Sequence, residues 1–277
     1  MASLANLQRL AEGLDHPEGI ALGPDGLLYA GGEAGQVYRI DPATGGVEQI
    51  ASTGGFVLGL CHDAAGAIYA CDAGLGAVVR IDPATGAVET YCDSAGGSAL
   101  VCPNWPAFAP DGSLVVSASG REALDICEGT VFRVPPRGGA AEVLELPPLH
   151  LSNGLAVSPE GEIAVLESLT PRLSRVVEGG IETIADLPDT TPDGVALTDD
   201  GGYLVSCYYP FRILRIDPDG AVSTFLDDPT GIHIPMPTNI AFYGEGLTRL
   251  AIASLGGSWV SAIDTPYRGV PLTYPTF

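Results

Sequence analysis

The sequence predicts an all-β protein folded as a six-bladed β-propeller, with four antiparallel strands in each blade. The chain is rich in turn formers, with 37 glycines and 23 prolines among 277 residues, which disfavours a helical bundle. A hydrophobic share of 46% is too high for a disordered chain. A third observation is a repeat, whose turn glycines at positions 26, 66, 112, 161, 201 and 246 are 40 to 49 residues apart. Units of this length with four short strands are typical of propeller blades.

Each repeat contains an apolar triplet, a short turn that ends in Gly, and a second apolar run. The copies occupy residues 19–26, 59–66, 105–112, 154–161, 194–201 and 239–246. A second element, Arg-Ile-Asp-Pro-Ala-Thr-Gly, occurs at residues 39–45 and 80–86 and returns in shortened form at 215–220. The repeat places five arginines at one position of the third strand, which predicts a structural role for Arg39, Arg80, Arg133, Arg175 and Arg215.

The two ends of the chain predict how the ring closes. The last blade has only three strands before the repeat ends near residues 259–263, whereas residues 8–11 match the outer-strand segments 49–52 and 183–186. We therefore expect the N-terminal segment to join the last blade as its fourth strand, which removes two exposed sheet edges. The expected organisation is one propeller domain over residues 1–277.

The charge of the chain excludes several classes of function. The formal net charge is −22, and all 12 basic residues are arginines. An acidic surface argues against partners such as nucleic acid or an anionic membrane. The absence of lysine excludes Schiff-base chemistry and P-loop phosphate binding. The N-terminus lacks the pattern of a signal peptide and no apolar run approaches the roughly 20 residues of a membrane helix, so we expect a cytoplasmic protein.

The six cysteines follow no metal-binding spacing, and we expect them to be mostly reduced and buried. A disulfide between Cys92 and Cys102, or between Cys61 and Cys71, is the alternative.

One residue per blade falls at the start of the channel-lining first strand when the copies are aligned on their turn glycine. These six residues, expected at one height around the axis, are Glu18, Leu58, Asn104, Asn153, Asp193 and Thr238. Four of them carry oxygen donors suited to a hard cation such as Ca²⁺, Mg²⁺ or Mn²⁺. Zinc is disfavoured because the ring has no His or Cys. The alternative is a water-lined channel, but the following positions are apolar.

Three motifs, spaced one to a blade, carry a resemblance to a known family. His16-Pro-Glu-Gly19, Ser152-Asn-Gly-Leu155 and Pro192-Asp-Gly-Val195 resemble motifs of the regucalcin/gluconolactonase family of six-bladed propellers. Residues 237–242 and 252–256 are similar to that family's last blade. The resemblance implies one bound divalent ion. Ca²⁺ is the ion expected first, and Mg²⁺, Mn²⁺ and Zn²⁺ are the alternatives. Its implied ligands are Glu18, Asn153 and Asp193, with Asn104 at the metal-bound water or the substrate and Asp193 also as general base.

These observations together predict a metal-dependent hydrolase that opens a lactone or related cyclic ester. The chain has neither a Ser-His-Asp pattern nor a Gly-x-Ser-x-Gly motif, which disfavours a serine hydrolase. Two alternatives stay open: a metal-dependent lyase, hydratase or cyclase of secondary metabolism, and a non-catalytic calcium-binding module. The expected partner is a small-molecule substrate, and the expected state is a monomer or weak homodimer.

Further residues are candidates for substrate contact. The second strands end on the channel face, where Asp72, Ser119, Glu167 and Tyr208 are candidates, although such residues more often cap loops. Phe56 lies nearby in the pattern, and His16, which adjoins Glu18, is the best candidate among the histidines for a base. The loops at 92–102, 120–129 and 227–236 are long enough to fold over the channel mouth.

The third blade departs from the family pattern. Relatives that act on sugar lactones often have Arg-x-Asn-Asp where this chain has Cys102-Pro-Asn-Trp105. The loss of the Arg and the second acid, with Trp105 in place of the acid, predicts an aromatic wall and a substrate less polar than a sugar lactone.

Overall fold

The computed structural model describes residues 1–121 and 127–277, and within them six four-stranded antiparallel sheets form a ring. The first strand, β1 (Gln8–Glu12), belongs to the sheet of blade 6. Blade 1 consists of β2 (Ile20–Leu22), β3 (Leu28–Gly31), β4 (Gln36–Ile40) and β5 (Val47–Ser52). Blade 2 consists of β6 (Val57–His62), β7 (Ile68–Asp72), β8 (Ala77–Ile81) and β9 (Val88–Cys92). A small hairpin of β10 (Ser94–Ala95) and β11 (Ser98–Ala99) follows.

The remaining blades repeat the same order of strands. Blade 3 consists of β12 (Pro103–Phe108), β13 (Leu114–Ala118), β14 (Thr130–Val134) and β15 (Glu142–Val143). Blade 4 consists of β16 (Ser152–Val157), β17 (Ile163–Glu167), β18 (Arg172–Val177) and β19 (Gly180–Asp186). Blade 5 consists of β20 (Thr191–Leu197), β21 (Tyr203–Tyr209), β22 (Arg212–Ile216) and β23 (Val222–Asp227). Blade 6 contains β24 (Pro237–Tyr243), β25 (Arg249–Ser254) and β26 (Trp259–Asp264). Short 3₁₀ helices span Leu4–Asn6 and Glu245–Leu247.

The ring closes in blade 6, as the sequence predicts. Strand β1 pairs antiparallel with β26, with Gln8 opposite Ala262 and Glu12 opposite Trp259. The N-terminal segment is therefore the outer strand of the last blade, and the prediction of a six-bladed propeller is confirmed.

The hydrophobic core lies between neighbouring blades. Between blades 1 and 2, for example, Tyr29 and Val37 of the first sheet pack in one buried cluster with Val57, Leu60 and Ile68 of the second. Alternating side chains of each strand point to opposite faces of the sheet, so every blade buries both faces against its neighbours. This packing fixes the six first strands around a common axis.

The repeated arginines of the third strands have structural partners. Arg39 pairs with Glu48 at 2.6 Å and Arg80 with Glu89 at 3.0 Å, each across to the fourth strand of its own blade. Arg215 is 1% exposed and donates to Thr198 and to two aspartates of its own blade. These contacts agree with the structural role predicted for this position.

The C-terminal tail, which the repeat does not predict, lies across one end of the central channel. The backbone N–H of Val270 donates to Leu197 O at 3.2 Å in blade 5. The hydroxyl of Tyr274 donates to Leu22 O at 2.7 Å in blade 1, and the ring of Phe277 packs edge-on against Phe108 in blade 3. The tail thus covers the end of the channel at which the first strands finish. The end at which they begin is not covered by the tail.

None of the six cysteines, all within the described residues, forms a disulfide. The alternative pairing of Cys61 with Cys71 is not formed, since Cys61 lies opposite Tyr69 in the β6–β7 ladder. Cys92 is the last residue of β9, and Cys102 lies beyond the β10–β11 hairpin. In the described ranges, no helix has both the length and the apolar character needed to cross a membrane.

Candidate metal centre

The structure brings all six predicted ring residues to one cavity of about 630 Å³ at the uncovered end of the channel. They are Glu18, Leu58, Asn104, Asn153, Asp193 and Thr238. The four oxygen donors among them are buried, with between 5% and 7% of each residue exposed. Two carboxyl groups and two amides therefore share one secluded space.

Glycines explain why the ring residues lie at one level. A Cβ on Gly154 would lie 2.5 Å from Asp193 O, and one on Gly194 would lie 2.7 Å from Thr238 O. In each case the glycine directly follows one ring residue and touches the carbonyl of the ring residue in the next blade. Only a residue without a Cβ allows so close an approach of two backbones. The recurrent Gly of the repeat thus holds successive ring residues in register.

A serine orients each of the two amide side chains in the same way. Asn104 Nδ2 donates to Ser119 Oγ at 3.1 Å, and Asn153 Nδ2 donates to Ser168 Oγ at 3.1 Å. Both serines donate their own proton to a backbone carbonyl of the next blade, at 2.8 and 2.7 Å. Each serine must then accept from the amide, which fixes the amide nitrogen toward the serine and the oxygen away from it.

This orientation turns two amide oxygens away from the serines. Asn104 Oδ1 and Asn153 Oδ1 are buried and accept no hydrogen bond from any described residue. A buried polar atom without a partner costs about 1–3 kcal/mol, so native proteins seldom leave one unexplained. Hard cations bind such oxygens together with carboxylates. The donor set at this cavity therefore fits a divalent ion such as Ca²⁺.

Glu18 is held from the neighbouring blade. Asn239 Nδ2 donates to Glu18 Oε2 at 2.9 Å, and Thr238 Oγ1 donates to the backbone O of Glu18 at 2.7 Å. Burial raises the pKa of Glu18 to about 7, against an opposing effect of the Asn239 hydrogen bond. The ionised carboxylate is thus unfavourable in the metal-free cavity, and a bound cation would stabilise it.

The metal-free protein is expected to lose stability as the pH rises from about 4.5 to about 7. In this window Glu18 is ionised in the unfolded chain, where its ordinary value is 4.5, but still protonated in the folded protein. The folded state binds more protons there, so the free energy of unfolding falls with pH, by about 3 kcal/mol at most. Urea unfolding with chelator at pH 5 and pH 8 measures this. Glu18→Gln should remove that part of the pH dependence, and an identical dependence in the variant would contradict the assignment.

The other predicted substrate contacts divide into two groups. Phe56, Ser119 and Tyr208 line the cavity. Asp72 and Glu167 are buried at the ends of their strands and cap backbone instead. Asp72 Oδ1 accepts from the N–H groups of Phe56 and Leu75 at 3.0 and 2.8 Å. Glu167 accepts from His150 N at 2.8 Å and from the side chain of Arg172. Asp72 and Glu167 therefore cap loops, which is the alternative role expected for residues at these positions.

His16 lies outside the set of residues that line the cavity. Its Nδ1 is 2.9 Å from Asp15 Oδ1 and 3.4 Å from Glu33 Oε2, and half of its side chain is exposed. The three side chains form a cluster whose potential ligand atoms lie within 4.8 Å of one another. The structure therefore places His16 in a surface cluster of acids, although Glu18 is only two residues away.

Trp105 does not form the expected wall. It lines a different cavity of about 110 Å³, at the end of the channel that the tail covers, together with later residues of the first strands. The physical reason is the space over Gly59, where a Cβ would lie 2.4 Å from Trp105 Cε3. The indole thus packs against the neighbouring first strand, 9% exposed, while Asn104 lines the metal cavity.

The loops contribute less to the cavity than expected. Cys102 at the end of the 92–102 loop lines it, whereas Ile232 and Met236 of the 227–236 loop are exposed and Ile234 is buried in the core. Residues 122–126 of the 120–129 loop lie outside the described residues.

Sequence reasoning missed two of the supporting residues, Ser168 and Asn239. Ser168 could have been found, since Asn104–Ser119 and Asn153–Ser168 have the same separation of 15 residues. Asn239 had no such signal, because no other blade has an amide at that position.

The fold and the cavity define the class: a six-bladed β-propeller with a secluded centre of acids and amides at one end of its channel. The chain belongs to the SMP-30/gluconolactonase/LRE-like family, whose model matches residues 16–256. The resemblance drawn from the three motifs is thereby confirmed. Among curated proteins, no significant sequence match is found.

Solved structures of similar fold include three named proteins. The gluconolactonase XC5397 of Xanthomonas campestris is 22% identical, with a TM-score of 0.79 over 96% of this chain and 93% of that one. The calcium-binding protein regucalcin of Agrobacterium tumefaciens is 17% identical, with a TM-score of 0.77 over 97% of this chain and 98% of that one. A luciferin-regenerating enzyme is 14% identical, with a TM-score of 0.80 over 98% of this chain and 99% of that one. At these identities the likeness supports the fold alone.

Proposed function

We propose that the protein is a divalent-metal-dependent hydrolase that opens lactones or related cyclic esters. Glu18, Asn153 and Asp193 hold the ion, and Asn104 contacts the attacking water or the substrate. The observation that carries the proposal is the pair of serine-oriented amide oxygens, which are buried, accept no hydrogen bond from a described residue, and share one cavity with two carboxyl groups. Family membership supports the reaction class, because gluconolactonases are among the proteins that name the family.

Calcium is the ion we propose first. The proposed ligands are oxygen atoms only, which suits Ca²⁺, Mg²⁺ or Mn²⁺ better than Zn²⁺. The structurally similar regucalcin is a calcium-binding protein. Two carboxylates also balance the charge of one divalent ion, in a cavity where water and substrate can complete the coordination.

The chain's own groups can carry the remaining chemistry. When bound, the ion acts as a Lewis acid that polarises the lactone carbonyl. Asp193 takes a proton from a water whose oxygen adds to the carbonyl carbon, and the ring C–O bond then breaks. The same proton passes to the ring oxygen, so that the product is a hydroxy acid. Asn104 Nδ2 donates to Ser119, which turns Oδ1 away from that serine, and Oδ1 can accept from the O–H of the water or substrate.

The walls of the cavity support a neutral substrate that is less polar than a sugar lactone. Apolar side chains line much of it, namely Phe56, Leu58, Leu151, Leu169 and Leu255. Among the described lining residues none is an arginine, and the chain has no lysine, so an anionic group on the substrate would have no side-chain cation to pair with. The prediction of low polarity therefore depends on these residues rather than on Trp105.

The test is lactone hydrolysis with and without a chelator. Rates of ring opening are measured for γ- and δ-lactones of rising alkyl length and for a sugar lactone, on protein treated with EDTA and after Ca²⁺, Mg²⁺ or Mn²⁺ is restored. We expect activity to disappear with EDTA, to return with metal, and to favour the alkyl lactones. Activity that is indifferent to chelation would overturn the proposal. A panel that shows elimination or water addition in place of ring opening would indicate the lyase or hydratase alternative.

The two serines should separate metal binding from substrate contact. Ser168→Ala releases the Asn153 amide and is expected to weaken metal binding about tenfold, as typical for residues that orient a ligand. Ser119→Ala releases Asn104 and should raise KM while changing the metal Kd less than threefold. Calorimetric metal titration and steady-state kinetics of both variants give the comparison. Equal effects of the two changes on metal affinity would instead make Asn104 a direct ligand.

A further inference from the structure

We propose that Asn239 is a positioning residue that orients the Glu18 carboxylate for metal binding. The inference rests on the proposed metal centre and adds a residue outside the ligand set. Asn239 is 1% exposed and is not among the described residues that line the cavity. It therefore acts through Glu18 rather than on the ion.

The position of Asn239 in the repeat is unusual. In four blades the residue after the ring residue is a glycine, namely Gly19, Gly59, Gly154 and Gly194. Blade 3 has Trp105 there, whose ring fills the space over Gly59, and blade 6 has Asn239. Asn239 Oδ1 lies against Gly194, where a Cβ would be only 2.6 Å away. The glycine of blade 5 thus leaves room for the amide of blade 6.

The same amide also reaches blade 1. Its Nδ2 donates to Glu18 Oε2 at 2.9 Å and to Glu18 O at 3.3 Å. One side chain therefore spans from Gly194, which adjoins the proposed ligand Asp193, to the proposed ligand Glu18. Of these two hydrogen bonds, the first fixes one oxygen of the carboxylate, Oε2, and the second reaches the backbone. Glu18 still lines the cavity.

The polar character of Asn239 is not explained by packing. Its Oδ1 is buried and accepts no hydrogen bond from any described residue. An apolar side chain of similar volume, such as Leu, would avoid the cost of that buried oxygen. Leu would lose both hydrogen bonds that Asn239 Nδ2 donates to Glu18. Orientation of a ligand by a second residue typically changes metal affinity by 10–100-fold.

The test measures the Kd for Ca²⁺ and Mn²⁺ by calorimetry on the full chain. Asn239→Leu is expected to raise Kd about tenfold or more. Tyr243→Phe is the matched control, since Tyr243 is on the same strand and its buried hydroxyl has no hydrogen bond to a described residue, and the Kd of this variant should equal that of the wild type.

A double-mutant cycle distinguishes positioning from a general structural effect. Glu18→Asp shortens the side chain by one methylene and is expected to break the hydrogen bond from Asn239 Nδ2 to the carboxylate. In that background Asn239→Leu should change Kd less than twofold, whereas a structural effect would persist at full size. A wild-type Kd in Asn239→Leu, or an undiminished effect in the Glu18→Asp background, would overturn the inference and leave the metal centre intact. Absence of metal binding by the wild type would overturn both.

Discussion

Asp193→Asn is expected to lower kcat for lactone opening by about 10³-fold at saturating metal, the middle of the range for loss of a general acid–base group. The side chain keeps its shape and an oxygen for the ion, but an amide cannot take a proton from water. Asp193 is buried and lines the same cavity as the two amides whose oxygens accept no hydrogen bond from a described residue. The change also removes one of the two anionic ligands and should weaken metal binding, so kcat is compared at saturating metal. Single-turnover and steady-state kinetics at several metal concentrations separate the two effects.

The control for this variant is Asp264→Asn. Asp264 is an exposed residue of β26 that pairs with Arg249 at 3.0 Å on the surface, and kcat should be unchanged. If Asp193→Asn retained full turnover, the general base would lie elsewhere. If the wild type bound metal but opened no lactone of the panel, the calcium-binding module would become the better interpretation.

Glu18→Gln is expected to weaken divalent-metal binding by at least about 100-fold, since it removes one of two anionic ligands from a buried site. The same change should stabilise the metal-free protein at pH 8, because burial raises the pKa of Glu18 to about 7 and an ionised Glu18 is then unfavourable. Lower metal affinity combined with higher metal-free stability cannot result from misfolding. Calorimetric titration and urea unfolding of one preparation give both quantities.

Glu89→Gln is the matched control for that variant. Glu89 is exposed and pairs with Arg80 at 3.0 Å, so neither metal affinity nor stability should change by more than a small amount. Wild-type metal affinity in Glu18→Gln would contradict the assignment of Glu18 as a ligand.

The fold and the ring of channel residues could be predicted from the sequence because a propeller repeats one unit around an axis. Alignment on the turn glycine fixes the register, and the register selects one residue per blade. Glu18, Asn104, Asn153 and Asp193 therefore come together in the structure although as many as 49 residues separate neighbouring turn glycines. The closing strand could be predicted for the same reason, since an unpaired edge must find a partner.

The features that break the repeat could not be predicted in this way. Trp105 follows a channel residue, but its direction depends on the space over Gly59 in the neighbouring blade. Asp72 and Glu167 lie near the expected face, but a backbone N–H of an adjacent loop donates to one oxygen of each. The C-terminal tail has no counterpart in the other blades, and its path depends on tertiary contacts such as that of Tyr274 with Leu22.

Anomalous diffraction from crystals grown with Mn²⁺ tests the proposed centre most directly. We predict one strong peak inside the cavity, with oxygen atoms of Glu18, Asn153 and Asp193 at about 2.0–2.6 Å. A peak only at the surface cluster of Asp15, His16 and Glu33, or no peak at all at saturating Mn²⁺, would contradict the account.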